Sequence, residues 1–348
     1  MIRRYDDGLE IDLYTLEDNE EALALDRAAA QGEAFRLSFH RSTFHRRAEN
    51  FTEHLLFTGR IDGRLVGLAA VGFKDVVICG ELMRAGFAFD LRVHPDFQRR
   101  GIGRRIARDA RDYSRSMADI GYSWAIDDNR AVRAVLELLE AEVVGAYRYL
   151  VYPIYRHLRP RHTPSETSFD EVHAHMVEVE GPFDLYADPR RGGNLEPHVG
   201  SWIVRDGPDI AGCSAWDNRD ILGEVVEALP LRLRMARTLF ESPLLRGAEL
   251  PHIPQRGEHL RSWYLFDVFA TRPDLAVDLM RHMTHLAREH DIDYCHLAHI
   301  ESQTWVSAVR AEVPRMFAPE LRYLMLAGWN RPEPFPRLER IYVDVRDL

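Results

Sequence analysis

The clearest patterning of apolar and polar positions lies in Gly59-Arg60-Ile61-Asp62-Gly63-Arg64-Leu65-Val66-Gly67-Leu68-Ala69-Ala70-Val71, where Asp-Gly separates two apolar runs. This predicts a strand, a tight turn and a second strand. The same pattern returns in Trp202 to Cys213 around Asp206-Gly207. Between the two hairpins, Arg84 to Val93 is a β-prone run closed by His94-Pro95-Asp96, which predicts a central strand. Beyond it Ile102, Ile106 and Ala110 recur at helical spacing. A strand therefore passes into a helix through a turn containing Gly101 and Gly103. Tyr122 to Ile126 reads as the next strand, and Asn129 as the start of a further helix.

Ile126 to Leu150 and Ile300 to Leu324 align without gaps at an offset of 174, Gln303 answering Asn129 and Arg322-Tyr323-Leu324 answering Arg148-Tyr149-Leu150. Upstream, Arg272-Pro273-Asp274 answers His94-Pro95-Asp96 at an offset of 178, so the second copy is four residues shorter in between. The missing segment is the glycine turn, since Leu275 to His282 contains no glycine. A chain of 348 residues also exceeds one ordinary domain of about 150. The expectation is a tandem duplication: a first domain over residues 1–158, a linker over 159–172 and a second domain over 173–348. The second copy carries extra sequence from Asn218 to Arg261.

Composition narrows the function classes. Hydrophobic residues make up 46% and charged residues 29%, with no apolar run near the roughly 18 residues of a membrane span. The N-terminus leads into acidic residues rather than an apolar signal core, so a cytoplasmic location and no membrane partner are expected. Cys79, Cys213 and Cys295 are far apart, which points to neither a disulfide framework nor a thiolate metal site. A formal charge of -10 argues against nucleic-acid binding and suits a cationic, amine-bearing substrate.

The turn between strand and helix has a chemical use. Free N–H groups in the first turn of a helix, with its dipole, bind anions, and glycines let a pyrophosphate approach the backbone. The plain alternative is that Arg99, Arg100, Arg104 and Arg105 form a solvated basic face. The longer run Val93-His94-Pro95-Asp96-Phe97-Gln98-Arg99-Arg100-Gly101-Ile102-Gly103-Arg104-Arg105-Ile106 resembles the acetyl-CoA signature of the GNAT N-acetyltransferase superfamily. The resemblance extends over residues 8–156 and, more faintly, over the second copy. It implies an α/β (α+β) fold with two tandem domains, each a mixed, largely antiparallel twisted sheet flanked by helices. The co-substrate, acetyl-CoA, would enter where two central strands splay apart. It further implies a cofactor-binding set of Leu91, Arg92, Val93, Gln98, Arg99, Arg100, Gly101, Ile102, Gly103, Arg104 and Asn129. In that set the backbone of Leu91 and Val93 serves the pantetheine arm, and the amides from Arg99 to Arg104 serve the pyrophosphate. No metal is implied. The activity would be acetyl transfer to an amine of a small-molecule or peptide acceptor by direct attack in a ternary complex, with a homodimer allowed. The second domain, lacking the loop and carrying Asp278 where phosphate charge would sit, is expected to be degenerate. It would persist either to bury the first copy's open sheet edge or to wall the acceptor pocket.

The sequence departs from the family at two catalytic positions. The usual Glu, eleven residues before Gln98, is Phe87, and the usual Tyr, seven after Asn129, is Leu136. Substitutes are Asp90, Asp127 and Asp128 as carboxylates and Tyr147 and Tyr149 as acids; each carboxylate also reads as a strand-end or capping residue, and Tyr149, repeated as Tyr323, as structural. The missing pair keeps open a second reading, a non-catalytic acyl-CoA-binding sensor or assembly protein. His40 and His45 are candidates for an acceptor groove. His282, His285, His290 and Glu289 read as a solvated helix face, and Trp216, Trp263 and Trp305 as core.

Overall fold

The computed structural model describes the chain apart from residues 1, 33, 128, 130–139, 157, 189–193, 195, 246–247, 331–333 and 348. The first half contains β1 (Arg3–Arg4), β2 (Leu9–Leu13), α1 (Asn19–Ala28), β3 (Arg36–His40), β4 (Glu53–Ile61), β5 (Arg64–Ile78), β6 (Glu81–Val93), α2 (Ile102–Ser114), β7 (Ile120–Ile126) and β8 (Glu142–Pro153). The second contains β9 (Ser165–Thr167), α3 (Phe169–Glu180), β10 (His198–Asp206), β11 (Asp209–Trp216), α4 (Arg219–Leu222), β12 (Gly223–Ala228), α5 (Leu231–Phe240), β13 (Ser262–Ala270), α6 (Pro273–Glu289), β14 (Tyr294–His299), α7 (Val306–Ala311) and β15 (Glu320–Trp329). Both Asp-Gly hairpins are present, as β4–β5 and β10–β11. Asp62 and Gly63 turn the first with φ of 51° and 76°, the pair of left-handed residues that a two-residue hairpin requires.

Among the described residues, thirteen strands form one sheet in the order β1-β2-β4-β5-β6-β7-β15-β8-β14-β13-β11-β10-β9. Its pairs are antiparallel except β6–β7 and β13–β14, the corresponding central pairs of the two copies. The last strands are exchanged: β15 of the second copy lies between β7 and β8, and β8 of the first lies between β15 and β14. Arg148 stands opposite Arg322 in the β8–β15 register, with Tyr147 opposite Tyr323 and Tyr149 opposite Leu321. Arg148 thus meets its own counterpart and the flanking pairs exchange partners, as a pseudo-two-fold axis through that pair demands. A small second sheet also joins the halves, β12 pairing with β3.

Helix α2 lies against β4 and β5 through Ile102 and Ile106, both buried. Two glycines permit that approach: a Cβ on Gly59 would lie 2.7 Å from Ile106 Cδ1, and one on Gly67 would collide with the same atom. The corresponding α6 of the second copy starts differently. Pro273 opens it without a glycine, and Asp274 in its first turn binds Arg272 at 2.7 Å. Buried Asp278 accepts from the amides of Arg161 and His162 at 2.9 and 3.0 Å, pinning the incoming chain to this helix. Trp216, Trp263 and Trp305 are core residues. His282 departs from the expected solvated face by packing edge-on to Trp202. No helix among the described residues is long and apolar enough to cross a membrane.

Candidate active site

The site begins where β6 and β7 part. Their parallel pairing covers only Ala85–Ile120, Gly86–Gly121 and Phe87–Tyr122, and past a last tie, Ser123 Oγ donating to the Ala88 carbonyl at 2.8 Å, the strands diverge. On its other side β6 slips against β5: Ala70 pairs with Phe89 and Leu68 with Arg92, leaving Asp90 and Leu91 as a bulge. A bulge bends its strand and re-aims backbone groups, here those of Leu91 beside the gap.

Asp90 sits in the bulge at φ 52°, a left-handed conformation rare outside glycine. Its carboxylate accepts from Arg41 at 2.7 Å and Arg47 at 3.0 Å, with Arg92 at 3.4 Å. Buried Asp26 completes the network, accepting from Arg41 and Arg92 at 2.9 and 3.0 Å. Burial alone would raise the Asp90 pKa, but the three guanidinium charges outweigh it and hold the carboxyl well below the usual range. Such a group is a poor proton acceptor and a strong clamp. The side chain of Arg92 belongs to this clamp, donating also to the Leu91 carbonyl at 3.3 Å.

At the outer end, Gly101 caps α2 at φ 74°, preceded by Arg99 at φ 63°. The turn is solvent-facing, and a Cβ on Gly101 would meet no atom within 4 Å. Bonding within the helix begins with the Arg105 N–H donating to the Gly101 carbonyl at 3.2 Å. The amides of Ile102, Gly103 and Arg104 therefore precede the helical ladder, the usual anion-binding arrangement. Gly103 packs inward, its Cβ position 3.2 Å from Val93 Cγ2. Gln98 donates its side-chain amide to the Val93 carbonyl at 3.2 Å and so ties loop to strand. Arg100 reaches the Asp96 carbonyl at 2.9 Å, leaving the turn's backbone facing outward.

A cavity of about 1020 Å³ runs from the β6–β7 gap into the junction between the halves. Its wall brings together Asp90, Leu91, Arg92, Asn129, Tyr147 and Tyr149 from the expected set, while Val93 and the turn from Gln98 to Arg104 do not line it. Asn129 donates its amide to the Ile126 carbonyl at 2.9 Å, while the helix expected beyond it, with Leu136, and also Asp128 fall outside the described residues. Asp127 turns away to pair with Arg322 at 3.0 Å. Phe87, in the position of the usual carboxylate, is buried in a stack with Phe89 at 5.4 Å. His40 and His45 do not line this cavity; His40 lies edge-on to His259 at 5.6 Å and His45 meets Glu49 at 3.3 Å.

The wall contributed by the second half was not visible in the sequence. Tyr147 stacks on Tyr323 with centroids 5.1 Å apart, and Tyr149 touches Tyr264 at 6.1 Å and His296 at 5.4 Å. Burial, followed by neighbouring tyrosines for Tyr147 and Tyr149 and by the Glu224 carboxylate for Tyr264, pushes all three hydroxyls well above 10, so all three stay protonated. Tyr149 Oη meets no hydrogen-bonding partner among the described residues. Glu224, from β12, faces this ring with its carboxyl 3.5 Å from Tyr264 Oη. Glu224 is half-buried on the cavity wall, and burial pushes its carboxyl up to about 7. The same burial pushes His296 down to about 4. The only sequence signal for Glu224 was its place in the extra segment, a lone carboxylate in the strand-like run Gly223-Glu224-Val225-Val226.

Residues 11–139 match the sequence model of the acetyltransferase (GNAT) family. No curated protein matches the chain. Among solved structures, it is similar to Saccharomyces cerevisiae N-myristoyltransferase with bound myristoyl-CoA, at a TM-score of 0.60 and 11% identity over 99% of this chain and 91% of that one. It is also similar to a Pyrococcus horikoshii protein provisionally described as an acetyltransferase, at a TM-score of 0.50 and 13% identity over 98% and 96%. At such identities the likeness concerns the fold. Residues 11–139, which hold the splayed central strands and the glycine-led helix, thus match the acetyltransferase (GNAT) family, and the fold of the whole chain is like that of these two structures.

Proposed function

We propose that the protein transfers an acetyl group from acetyl-CoA to an amine, using one cofactor site in its first half. The observation that carries this reading is the opening of the sheet: β6 bulges at Asp90 and Leu91 and parts from β7, and a cavity lined by Leu91 and Arg92 runs inward from that gap. In this reading the amides from Arg99 to Arg104 hold the pyrophosphate, Leu91, Arg92, Val93 and Asn129 flank the pantetheine arm, and Gln98 fixes the turn against β6. The second half, whose α6 opens with Asp274 and no glycine, holds no second cofactor.

The thioester then lies at the inner end of the gap, and the amine attacks it directly within a ternary complex. A neutral nitrogen forms the C–N bond, the C–S bond breaks, and the leaving thiolate takes a proton. Positioning of the two reactants in a chamber shielded from water supplies much of the rate.

The test follows free thiol released from acetyl-CoA in the presence of a panel of amines and amine-terminal peptides. Amine-dependent release by the wild type, abolished in Gly101→Glu, is expected. Tight acetyl-CoA binding with no amine-dependent release would favour the non-catalytic acyl-CoA sensor, and turnover confined to longer acyl-CoAs would replace acetyl as the transferred group.

A further inference from the structure

The cavity has an inner end that the cofactor reading does not use. It is formed across the junction of the halves, by Tyr147 and Tyr149 on β8, Tyr323 on β15, Tyr264 on β13 and Glu224 on β12. Rings pack around it at centroid separations of 5.1 to 6.1 Å. One carboxyl and one unpartnered hydroxyl interrupt the aromatic wall. Tyr149 is 5% exposed, its side chain forms part of the chamber wall, and its Oη finds no partner among the described residues.

Burying a polar hydroxyl without a partner costs about 1–3 kcal/mol, so such groups call for a ligand or solvent to satisfy them. Burying a carboxyl away from a cation is likewise unfavourable, and Glu224 shows it: burial acts on it most strongly, and the Tyr264 hydroxyl is the contact that opposes. An ammonium group answers both. It donates to Glu224 and to Tyr149 Oη, and aromatic faces attract it through their quadrupoles. An anionic ligand would meet Glu224 with the wrong sign. Arg47, the nearest guanidinium of the β6 bulge, is already engaged with Asp90 at 3.0 Å. The wall also carries Arg232 and Arg315, but Leu222, Leu233, Leu260 and Phe317 give it a broad apolar part, which suits an apolar body on the ammonium.

We propose that the second half supplies the acceptor site: an ammonium on an apolar body docks against Glu224 and Tyr149, and Glu224 removes the proton that must leave before the nitrogen attacks. This rests on the transferase reading above. The ammonium gives one proton to the Glu224 carboxylate and becomes an amine. Attack forms the C–N bond as the C–S bond breaks, the thiolate takes the second nitrogen proton, and Glu224 returns the first to solvent. The Glu missing at position 87 is thereby replaced from the other half of the chain.

The probe is n-hexylamine, titrated by calorimetry at pH 8 into the whole protein saturated with coenzyme A, with 1-hexanol as its uncharged counterpart. Acetyl-CoA is titrated separately into each protein. The wild type should bind hexylamine at one site per chain and 1-hexanol at least tenfold more weakly. Glu224→Gln should weaken hexylamine at least tenfold and Tyr149→Phe about threefold, with acetyl-CoA binding unchanged in both. Thiol release with hexylamine should fall in kcat for Glu224→Gln, and mainly rise in KM for Tyr149→Phe. The proposal is overturned if wild type binds acetyl-CoA but not hexylamine, if 1-hexanol binds equally well, or if Glu224→Gln binds and turns over hexylamine like wild type. Should acetyl-CoA itself fail to bind the wild type, the transferase reading falls with it.

Discussion

Asp90 holds a left-handed backbone within a strand because three arginines fix its carboxylate from different directions. Removing one member of a buried ion network leaves its partners uncompensated, so Asp90→Asn should cost about 3–5 kcal/mol in urea unfolding. A loss below about 1 kcal/mol would show that the clamp is incidental. Its pKa lies below the unfolded value of about 3.9, so its stabilisation is complete above that pH and is lost as pH falls beneath it. Glu224 behaves oppositely. Its folded pKa of about 7 exceeds the unfolded value of about 4.3, so a folding penalty appears above about pH 4.3 and is complete above pH 7. Around it, Tyr149 and Tyr264 stay protonated and His296 stays neutral down to about pH 4, so none of these changes state between pH 5 and 8. Thermal melts should therefore show Glu224→Gln equal to wild type at pH 4 and more stable at pH 8, by about 1–3 kcal/mol. Equal melts at both values would place the carboxyl in bulk water.

The elements that could be read from the sequence are those built from neighbours in the chain. The hairpin at Asp62-Gly63, the strand ending at Val93 and the helix from Ile102 all announce themselves within about 15 residues, through turn chemistry and periodicity. Gly101 was legible for the same reason, since a left-handed helix cap needs a residue without a Cβ. The bulge at Asp90 was not, because it depends on Arg41 and Arg47 arriving from a distant loop. The pairing of β12 with β3 joins residues almost two hundred positions apart, and no local pattern specifies it. That pairing carries Glu224 into the cavity, whereas the carboxylates offered by local sequence are Asp90, Asp127 and Asp128. Of these, Asp90 and Asp127 pair with arginines.

At the scale of the whole molecule, the strand exchange makes each half part of the other. The repeat was visible as a gapless alignment, but which strands its copies shared was not, because register across a sheet is a tertiary choice. Of the second half, β15 covers the β7 edge, and side chains of β12, β13 and β15 form part of the cavity wall. Residues 1–158 produced alone would leave β7 and β8 without the strand between them, and unpaired edges aggregate. No cooperative thermal transition is expected from that fragment, and a fragment that melts sharply and binds acetyl-CoA would disprove the interdependence. The central claim, that one acyl-CoA pyrophosphate sits on the turn at Gly101, is tested most directly by calorimetric titration of acetyl-CoA into wild type, Gly101→Ala and Gly101→Glu. The alanine variant carries the backbone strain at φ 74° without a charge and so separates strain from occupancy. The account predicts one site per chain in wild type, retained though weakened in Gly101→Ala and lost in Gly101→Glu. Undiminished binding in Gly101→Glu, or none in wild type, would contradict it.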